Sequence, residues 1–320
     1  MSERVITVLG EGDQLVRALG AAGCPVTFAG NADIASARKP DERYFYLGNV
    51  FEQIKQPLVL SRIRRALEAD AAPYVWWNRD APWNCSIKPW RKLLVRAARR
   101  VDIHLAHSLQ SVELFGSPAV YFPNAAQIDR YNLAGRSLES LRDPSRYRYE
   151  VSFVGTLNPQ FKRVRARVAF LTELAPRLER EGIGCRLFDT SIGSTLSVRE
   201  QVEIIQASRI SLSVGAVCDD PVPSWGLPER CFGVGACGGF LLCDERKHGP
   251  ETFPQEAWAA FSNVEECVAR IKFFLGHFDV ARDKAERLHR DIMAHHTYEA
   301  RARELLRLVE AWRARRAQAR

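Results

Sequence analysis

Short apolar runs alternate with amphipathic stretches through the first 125 residues. The runs have the length of buried strands, and the stretches repeat apolar residues at helical spacing, as Leu15, Leu19 and Ala22 do. The predicted strands are residues 5–9, 26–29, 74–77, 103–106 and 120–122, and the predicted helices include residues 50–69, 89–100 and 110–115. This alternation predicts a parallel sheet with helices on both faces.

The alternation fades over residues 124–149, which are polar and rich in arginine, and then resumes. Further strands are predicted at residues 151–154, 185–188, 210–214 and 240–242, an apolar segment at 258–261, and helices at 163–180, 198–207, 264–275, 281–294 and 298–316. The chain is therefore predicted to fold as two doubly wound α/β domains. Residues 1–125 form the first domain, 126–150 a linker, 151–295 the second domain, and 296–320 a helix long enough to cross back to the first.

The composition fits two globular domains. The chain has 320 residues, of which 46% are hydrophobic and 26% charged, and about 150 residues is an ordinary domain size. No apolar run approaches the roughly 20 residues of a membrane span, and the first residues do not resemble a secretion signal. We therefore expect a cytoplasmic protein.

The cysteines and histidines do not suggest a metal site. The eight cysteines include no C-x-x-C pair and lie mostly in apolar or glycine-rich contexts, so buried reduced thiols are expected rather than zinc ligands or disulfides. His295 and His296 are adjacent, and adjacent residues on a helix do not converge on one ligand.

The formal net charge of +8 is unevenly distributed. Basic residues cluster on the predicted helix at 89–100 and at the end of the chain: Arg91, Lys92, Arg96, Arg99, Arg100, Arg313, Arg315, Arg316 and Arg320. Such runs are usually solvated helix faces, and the alternative is attraction to an anionic membrane surface carrying a lipid-linked acceptor. A nucleic acid is the less favoured partner, because the chain carries no recognised nucleic-acid motif.

The segment 221–242, PVPSWGLPERCFGVGACGGFLL, runs from a loop through a short helix into a strand. Its glycines are unfavourable in a helix, at up to about 1 kcal/mol each relative to alanine, so something must lie close to the backbone there. The helix is predicted to start near Pro228, with Glu229 in its first turn. Its unpaired N–H groups beside Arg230 predict a phosphate site.

Four ordered motifs carry a family resemblance. They are RCFGVGACGGFLL at 230–242, VSFVGT at 151–156, SRISLSV at 208–214 and HTYEAR at 296–301. Together they resemble the CgeB-like (spore maturation protein) glycosyltransferases, relatives of the group 1 glycosyltransferases, over roughly residues 150–310.

The resemblance implies the GT-B architecture, in which two Rossmann-like domains face a cleft. It also implies transfer of a sugar, with retention of anomeric configuration, from a UDP, GDP or dTDP donor to a polysaccharide, glycolipid or protein. Asp219 and Asp220 are adjacent rather than spaced as D-x-D, so we expect fixed cations and helix dipoles, with no bound metal or cofactor, to stabilise the leaving diphosphate. The alternatives are an inactive GT-B binding module and a nucleotide-sugar epimerase.

One position departs from the family pattern. The relatives usually carry, three residues after the motif arginine, a glutamate that holds the ribose, and this chain has Gly233 there. Glu229, one turn earlier, is the carboxylate that can reach the ribose instead. Gly233 is also the feature that supports the inactive-module alternative.

The candidate site residues follow from these motifs and from strand ends. The donor-binding candidates are Gly155, Thr156, Arg163, Arg167, Glu229, Arg230, Gly233, Gly238 and Gly239. The acceptor-binding candidates are Gly10, Gly12, Trp77, Asp80 and Trp83, and the catalytic candidates are Asp80, His107 and Arg230. For the tryptophans and His107, a structural role in the core is the competing interpretation.

Overall fold

The computed structural model describes residues 3–29, 37, 42–55, 58, 72–79, 89–98, 101–110, 112–115, 118–160, 164–191, 196–215 and 225–319. The chain divides into two compact units. The first consists of Met1–Pro123 and Tyr298–Arg320, and the second of Asn124–Thr297. Residues 126–150, which the sequence analysis treats as a linker, belong to the second unit.

The first unit is built on a parallel sheet of six strands in the order β2-β1-β3-β4-β5-β6. The strands are β1 Glu3–Thr7, β2 Val26–Phe28, β3 Arg43–Gly48, β4 Tyr74–Asn78, β5 Ile103–Ala106 and β6 Val120–Tyr121. Its α-helices are α1 Gln14–Ala21, α2 Val50–Lys55, α3 Pro89–Ala98 and, from the end of the chain, α10 Tyr298–Gln318, together with a 3-10 helix at Val112–Phe115.

Strand β3 is absent from the sequence-based prediction. It lies between β1 and β4, with Val5 opposite Phe45 and Leu47 opposite Val75, and its residues 44–48 are buried. A run of aromatic and aliphatic residues buried on both faces is typical of a central parallel strand. The predicted helix at 50–69 is described as helix α2, Val50–Lys55; residues 56–69, except Leu58, lie outside the described residues.

The second unit contains a parallel sheet of five strands in the order β11-β10-β9-β7-β8. The strands are β7 Tyr149–Gly155, β8 Cys185–Asp189, β9 Ser208–Ser213, β10 Leu241–Asp244 and β11 Ala259–Phe261. The helices are α4 Arg165–Arg180, α5 Val198–Gln206, α6 Glu229–Ala236, α7 Gly249–Thr252, α8 Val264–Gly276 and α9 Phe278–His295, with 3-10 turns at Glu139–Arg142 and Pro144–Arg146. The strand order reverses between β7 and β9, and doubly wound sheets bind ligands outside the carboxyl ends of the strands at such a point.

Helix α6 packs unusually closely on its neighbours. A Cβ atom on Gly235 would lie 2.4 Å from Ile292 Cδ1 and 2.7 Å from Leu288 Cγ, both on α9, and one on Gly239 would lie 2.7 Å from Ile205 Cγ2. The close approach that the sequence predicts at these two glycines is therefore made by the protein's own side chains.

Helix α10 completes the first unit. Its Leu305 and Val309 are fully buried, and Arg313 donates hydrogen bonds to the Tyr44 carbonyl at 2.8 Å and to Glu3 at 2.5 Å. No helix among the described residues is both long enough and apolar enough to span a membrane.

Candidate functional site

A cavity of about 310 Å³ opens in the second unit at the carboxyl end of β7, where the strand order reverses. Gly155 lines one side, and the first turns of α6, with Glu229 and Arg230, line another. Tyr131 and Gln201 also line the wall. The sequence motifs at 151–156 and 230–242 thus meet at one site.

Arg230 places a positive charge in this wall. Its guanidinium stacks 4.6 Å from the centre of the Phe153 ring and donates to the Val214 carbonyl at 3.4 Å. Burial lowers the pKa of Arg230, while the nearby Cys231 and the Asp244 carboxylate oppose the shift, and arginine remains charged because its ordinary pKa is far above neutrality. No carboxylate of the described residues forms an ion pair with it, so the cavity presents a partly desolvated positive charge.

Gly155 provides the space for this guanidinium. A Cβ atom at Gly155 would lie 2.3 Å from Nη2 of Arg230 and 2.9 Å from its Cζ. Any larger residue at the end of β7 would displace Arg230, so the two positions work as a pair.

The first turn of α6 adds a second positive feature. The helix begins after Pro228, with no side chain capping its N-terminal N–H groups. The exposed N-terminus of a helix favours an anion through its N–H groups and its dipole. The motif arginine and the helix end therefore both favour an anion at this wall.

Among the described residues that line the cavity, Glu229 carries a carboxylate. Gln127 Nε2 donates to Glu229 Oε1 at 2.7 Å, and both side chains line the cavity. A carboxylate held in one orientation can accept hydrogen bonds from neighbouring hydroxyl groups of a sugar.

Gly233 also lines the cavity, and an aromatic ring lies against it. A Cβ atom here would meet the Tyr131 ring at an ordinary contact distance of 3.5 Å. The Tyr131 hydroxyl donates to Gln201 Oε1 at 2.8 Å, and burial raises the pKa of the phenol. The Gly233 position therefore presents a flat apolar wall where the family pattern has a carboxylate.

Arg167 connects two backbone segments next to the cavity. It is 6% exposed, and it donates to the Val214 carbonyl at 2.8 Å and to the Thr156 carbonyl at 3.0 Å. These bonds fix the loop after β7 to the end of β9. Arg167 therefore positions this loop, and Thr156 takes part through its backbone carbonyl, which accepts a hydrogen bond from Arg167.

Gly238 and Gly239 follow the end of α6 and are fully packed. Gly238 has a φ of +73°, and a Cβ atom there would lie 2.8 Å from Leu141 Cδ1. The Gly239 N–H donates to the Val234 carbonyl at 2.9 Å, which closes the helix in the manner of a Schellman motif. Both glycines shape the helix end and lie against the protein's own side chains.

The acceptor-side candidates lie in the first unit. Trp77 is 2% exposed and packs edge-on against Phe122 and Tyr298, so it is part of the core with no open ring face. His107 is 6% exposed just after β5. Gly10 and Gly12 lie in the exposed loop after β1, with open space around both Cβ positions.

Three candidates, Asp80, Trp83 and Arg163, lie outside the described residues. Their roles stay predictions. Among the residues that the structure does describe, no group of three or more histidine, cysteine, aspartate or glutamate side chains is arranged to hold a metal ion.

Several residues of the cavity wall are not among the candidates predicted from the sequence, including Gln127, Tyr131 and Gln201. Gln127 and Tyr131 lie in the segment predicted to be a linker, and Tyr131 forms its hydrogen bond with Gln201, 70 positions away in the sequence. The sequence signal that points to Tyr131 is an aromatic residue in a mainly polar stretch.

The same region matches a known family. Residues 161–307 match the family model described as glycosyl transferase-like. No curated protein sequence is significantly similar to this chain.

Solved structures with the GT-B glycosyltransferase fold resemble the chain as a whole. Sucrose-phosphate synthase of Thermosynechococcus elongatus is 12% identical with a TM-score of 0.59, and the match covers 98% of this chain and 100% of that one. Anabaena HepE in complex with UDP is 11% identical with a TM-score of 0.60, covering 97% and 100%. A glycosyltransferase of Rickettsia africae is 12% identical with a TM-score of 0.53, covering 97% and 98%. At this identity the likeness establishes the fold, with two Rossmann-like units as predicted.

Proposed function

We propose that this protein is an active glycosyltransferase that moves a sugar from a nucleoside-diphosphate sugar, with the cavity beside Arg230 as its donor site. The observation that carries the proposal is the Arg230 guanidinium, which is partly withdrawn from water, is stacked on Phe153 and forms no ion pair with a described carboxylate. Placing an arginine charge in such a setting is unfavourable unless an anion binds there. A diphosphate provides two anionic groups for the guanidinium and the first turn of α6.

We propose UDP as the nucleotide of the donor. Anabaena HepE has the same fold and has been solved with UDP, with UDP-glucose, and with UDP and glucose. In the present chain the flat wall of Tyr131 suits a planar base or a ribose face, and Glu229 suits the ribose hydroxyls. We place the chain in the CgeB-like subgroup on its four motifs.

The proposed chemistry needs no bound metal. Arg230 and the α6 N-terminus stabilise the charge that develops on the leaving diphosphate, which is the largest electrostatic demand of the reaction. We propose that configuration is retained and that the departing phosphate accepts the proton of the acceptor hydroxyl as the new glycosidic bond forms. The acceptor we propose is a polysaccharide, glycolipid or protein hydroxyl.

A calorimetric comparison of nucleotides tests the proposal. UDP is expected to bind in the micromolar range, more tightly than GDP or dTDP, with the same affinity in magnesium and in EDTA. With a UDP-sugar and an acceptor extract, UDP is expected to accumulate, and NMR of the product gives the anomeric configuration. If no nucleotide binds, the donor-site assignment is wrong; if UDP binds but the sugar is never transferred, the inactive binding module is the better description.

The proposed contact between Glu229 and the ribose can be tested separately. Glu229→Gln is expected to weaken UDP binding about 10- to 100-fold, because hydrogen bonds to a charged group contribute about 1.5–3 kcal/mol. The same variant is expected to bind inorganic pyrophosphate at least as well as the parent, because a negative charge beside the anion is removed.

Isothermal titration calorimetry with UDP and with pyrophosphate measures both effects. Glu256→Gln, which changes an exposed carboxylate of the second unit, is the matched control and is expected to change neither affinity. Equal weakening of UDP and pyrophosphate by Glu229→Gln would mean that Glu229 organises the anion site rather than the ribose site.

A further inference from the structure

Helix α3 carries an apolar stripe that faces solvent. The stripe consists of Trp90, Leu93, Leu94 and Ala97, which recur at the i, i+3, i+4 and i+7 spacing of one helix face. Trp90 is 52% exposed, Leu93 65% and Leu94 43%. A stripe of this kind normally faces a protein core, and here it is open.

The core is contacted by the other side of the helix. Val95, about 140° around the helix from Trp90 at roughly 100° per residue, is fully buried. It belongs to the apolar cluster of the first unit, which also contains Ile54 of α2 and Phe115 of the 3-10 helix Val112–Phe115. The helix is thus anchored through Val95, and its more extensive apolar face is turned outward.

Basic residues flank the stripe. Arg91 and Arg96 are exposed, and they lie at about 100° and −120° from Trp90 around the helix, one on each side of the stripe. The sequence from 88 to 100, KPWRKLLVRAARR, contains six basic residues and no acidic residue. Arginines beside an apolar face can keep their charge in water while their methylene groups cover apolar surface.

We propose that α3 docks the protein onto an anionic lipid bilayer, with the α3 stripe entering the acyl boundary and the flanking arginines contacting the headgroups. A short cationic helix with tryptophan and leucine on one face has the composition of helices that lie in a membrane interface. Phosphate-bearing headgroups match its charge, whereas a second copy of this chain would bring the same positive charges against each other. The docking itself is independent of the proposed function, which would use it to reach a membrane-linked acceptor.

Vesicle flotation with the full chain tests the docking. The protein is expected to float with phosphatidylcholine vesicles that contain phosphatidylglycerol, to float weakly with phosphatidylcholine alone, and to be released by salt. Leu93→Gln with Leu94→Gln is expected to lower the partition coefficient about 100-fold, at about ten-fold for each leucine removed from the bilayer. Arg91→Gln with Arg96→Gln is expected to lower it about 25-fold on anionic vesicles, at about five-fold for each charge.

Matched variants in the second unit are the controls. Leu187→Gln changes an exposed leucine, and Arg180→Gln with Arg287→Gln removes two exposed charges; all are expected to float like the parent. UDP calorimetry and thermal unfolding are expected to be unchanged in the α3 variants, so a failure of the donor site is distinguishable from a failure of docking.

Two outcomes overturn the docking proposal. One is absence of the parent protein from the floating fraction on anionic vesicles. The other is flotation that the α3 variants reduce no more than the controls do. A change of oligomeric state in the α3 variants, seen by analytical ultracentrifugation without vesicle binding, would assign the stripe to self-association instead.

Discussion

Arg230→Gln is expected to weaken UDP binding by about 100-fold or more while leaving the free energy of unfolding within about 1 kcal/mol of the parent value. The first effect follows because the variant removes the cation that faces the proposed diphosphate. The second follows because Arg230 forms no ion pair with a described carboxylate, and burial already lowers its pKa. Loss of its contact with Phe153 is offset by removal of a poorly solvated charge.

Calorimetry with UDP and urea unfolding measure the two quantities on the same protein. Arg180→Gln removes an exposed arginine of the second unit and is expected to change neither. Unlike Glu229→Gln, Arg230→Gln is expected to weaken pyrophosphate as strongly as UDP. Full UDP affinity in the variant would remove the basis of the donor site.

Gly155→Ala is expected to displace the Arg230 guanidinium without removing its charge. The new methyl group would lie 2.3 Å from Arg230 Nη2, and the end of a flexible side chain can move away at small energetic cost. UDP binding is therefore expected to fall about ten-fold or more through the displaced guanidinium, with little loss of stability. A large loss of stability instead would show that the guanidinium cannot move.

Gly238→Ala is expected to destabilise the second unit by about 2–5 kcal/mol. The residue has a φ of +73°, which is unfavourable for alanine by about 1–2 kcal/mol, and the added Cβ would lie 2.8 Å from Leu141 and 3.0 Å from Leu133. Overpacking a rigid core adds about 1–3 kcal/mol. In a unit of this size the melting temperature should fall by about 4–20 °C.

Two control glycines separate backbone strain from overpacking in this experiment. Gly182 has a similar φ of +71° but open space around its Cβ position, so Gly182→Ala reports backbone strain alone. Gly276 has neither a positive φ nor a close neighbour, so Gly276→Ala is expected to be nearly neutral. If Gly238→Ala loses no more stability than Gly182→Ala, the leucines relax and the packing contribution is absent.

The periodicity of apolar residues predicts most of this fold, because strands buried on both faces and helices with one apolar face leave different patterns. Predicted strands 151–154 and 185–188 lie within β7 and β8. Strand β3 was missed although Tyr44, Phe45, Tyr46 and Leu47 form an apolar run. The run ends with only two residues left before α2, and its place in the sheet is set by pairing with β1 and β4, which local sequence does not show.

The candidate site is predictable only in part. Gly155 and Arg230 can be predicted from local sequence, because Gly155 follows a predicted strand and Arg230 lies at the start of a predicted helix. In a doubly wound sheet, strand ends and helix starts of this kind lie at the same edge. Tyr131 and Gln127 could not be predicted to join them, because they contact residues 70 and 102 positions away. The glycines of α6 were noticed for the right reason, but sequence alone could not distinguish a ligand from Leu288 and Ile292 as the neighbour.

Helix α10 affects the order in which the two units can fold during synthesis, because the first unit contains residues from both sides of the second in the sequence. Leu15, Val16 and Leu19 of α1 are buried in a unit that α10 completes, yet residues 124–297 are translated between them. At about 5–20 residues per second, this interval lasts on the order of 10–30 s on the ribosome. The first unit is thus started first and finished last, and throughout that time its partly formed core has apolar surface open to chaperones and to aggregation.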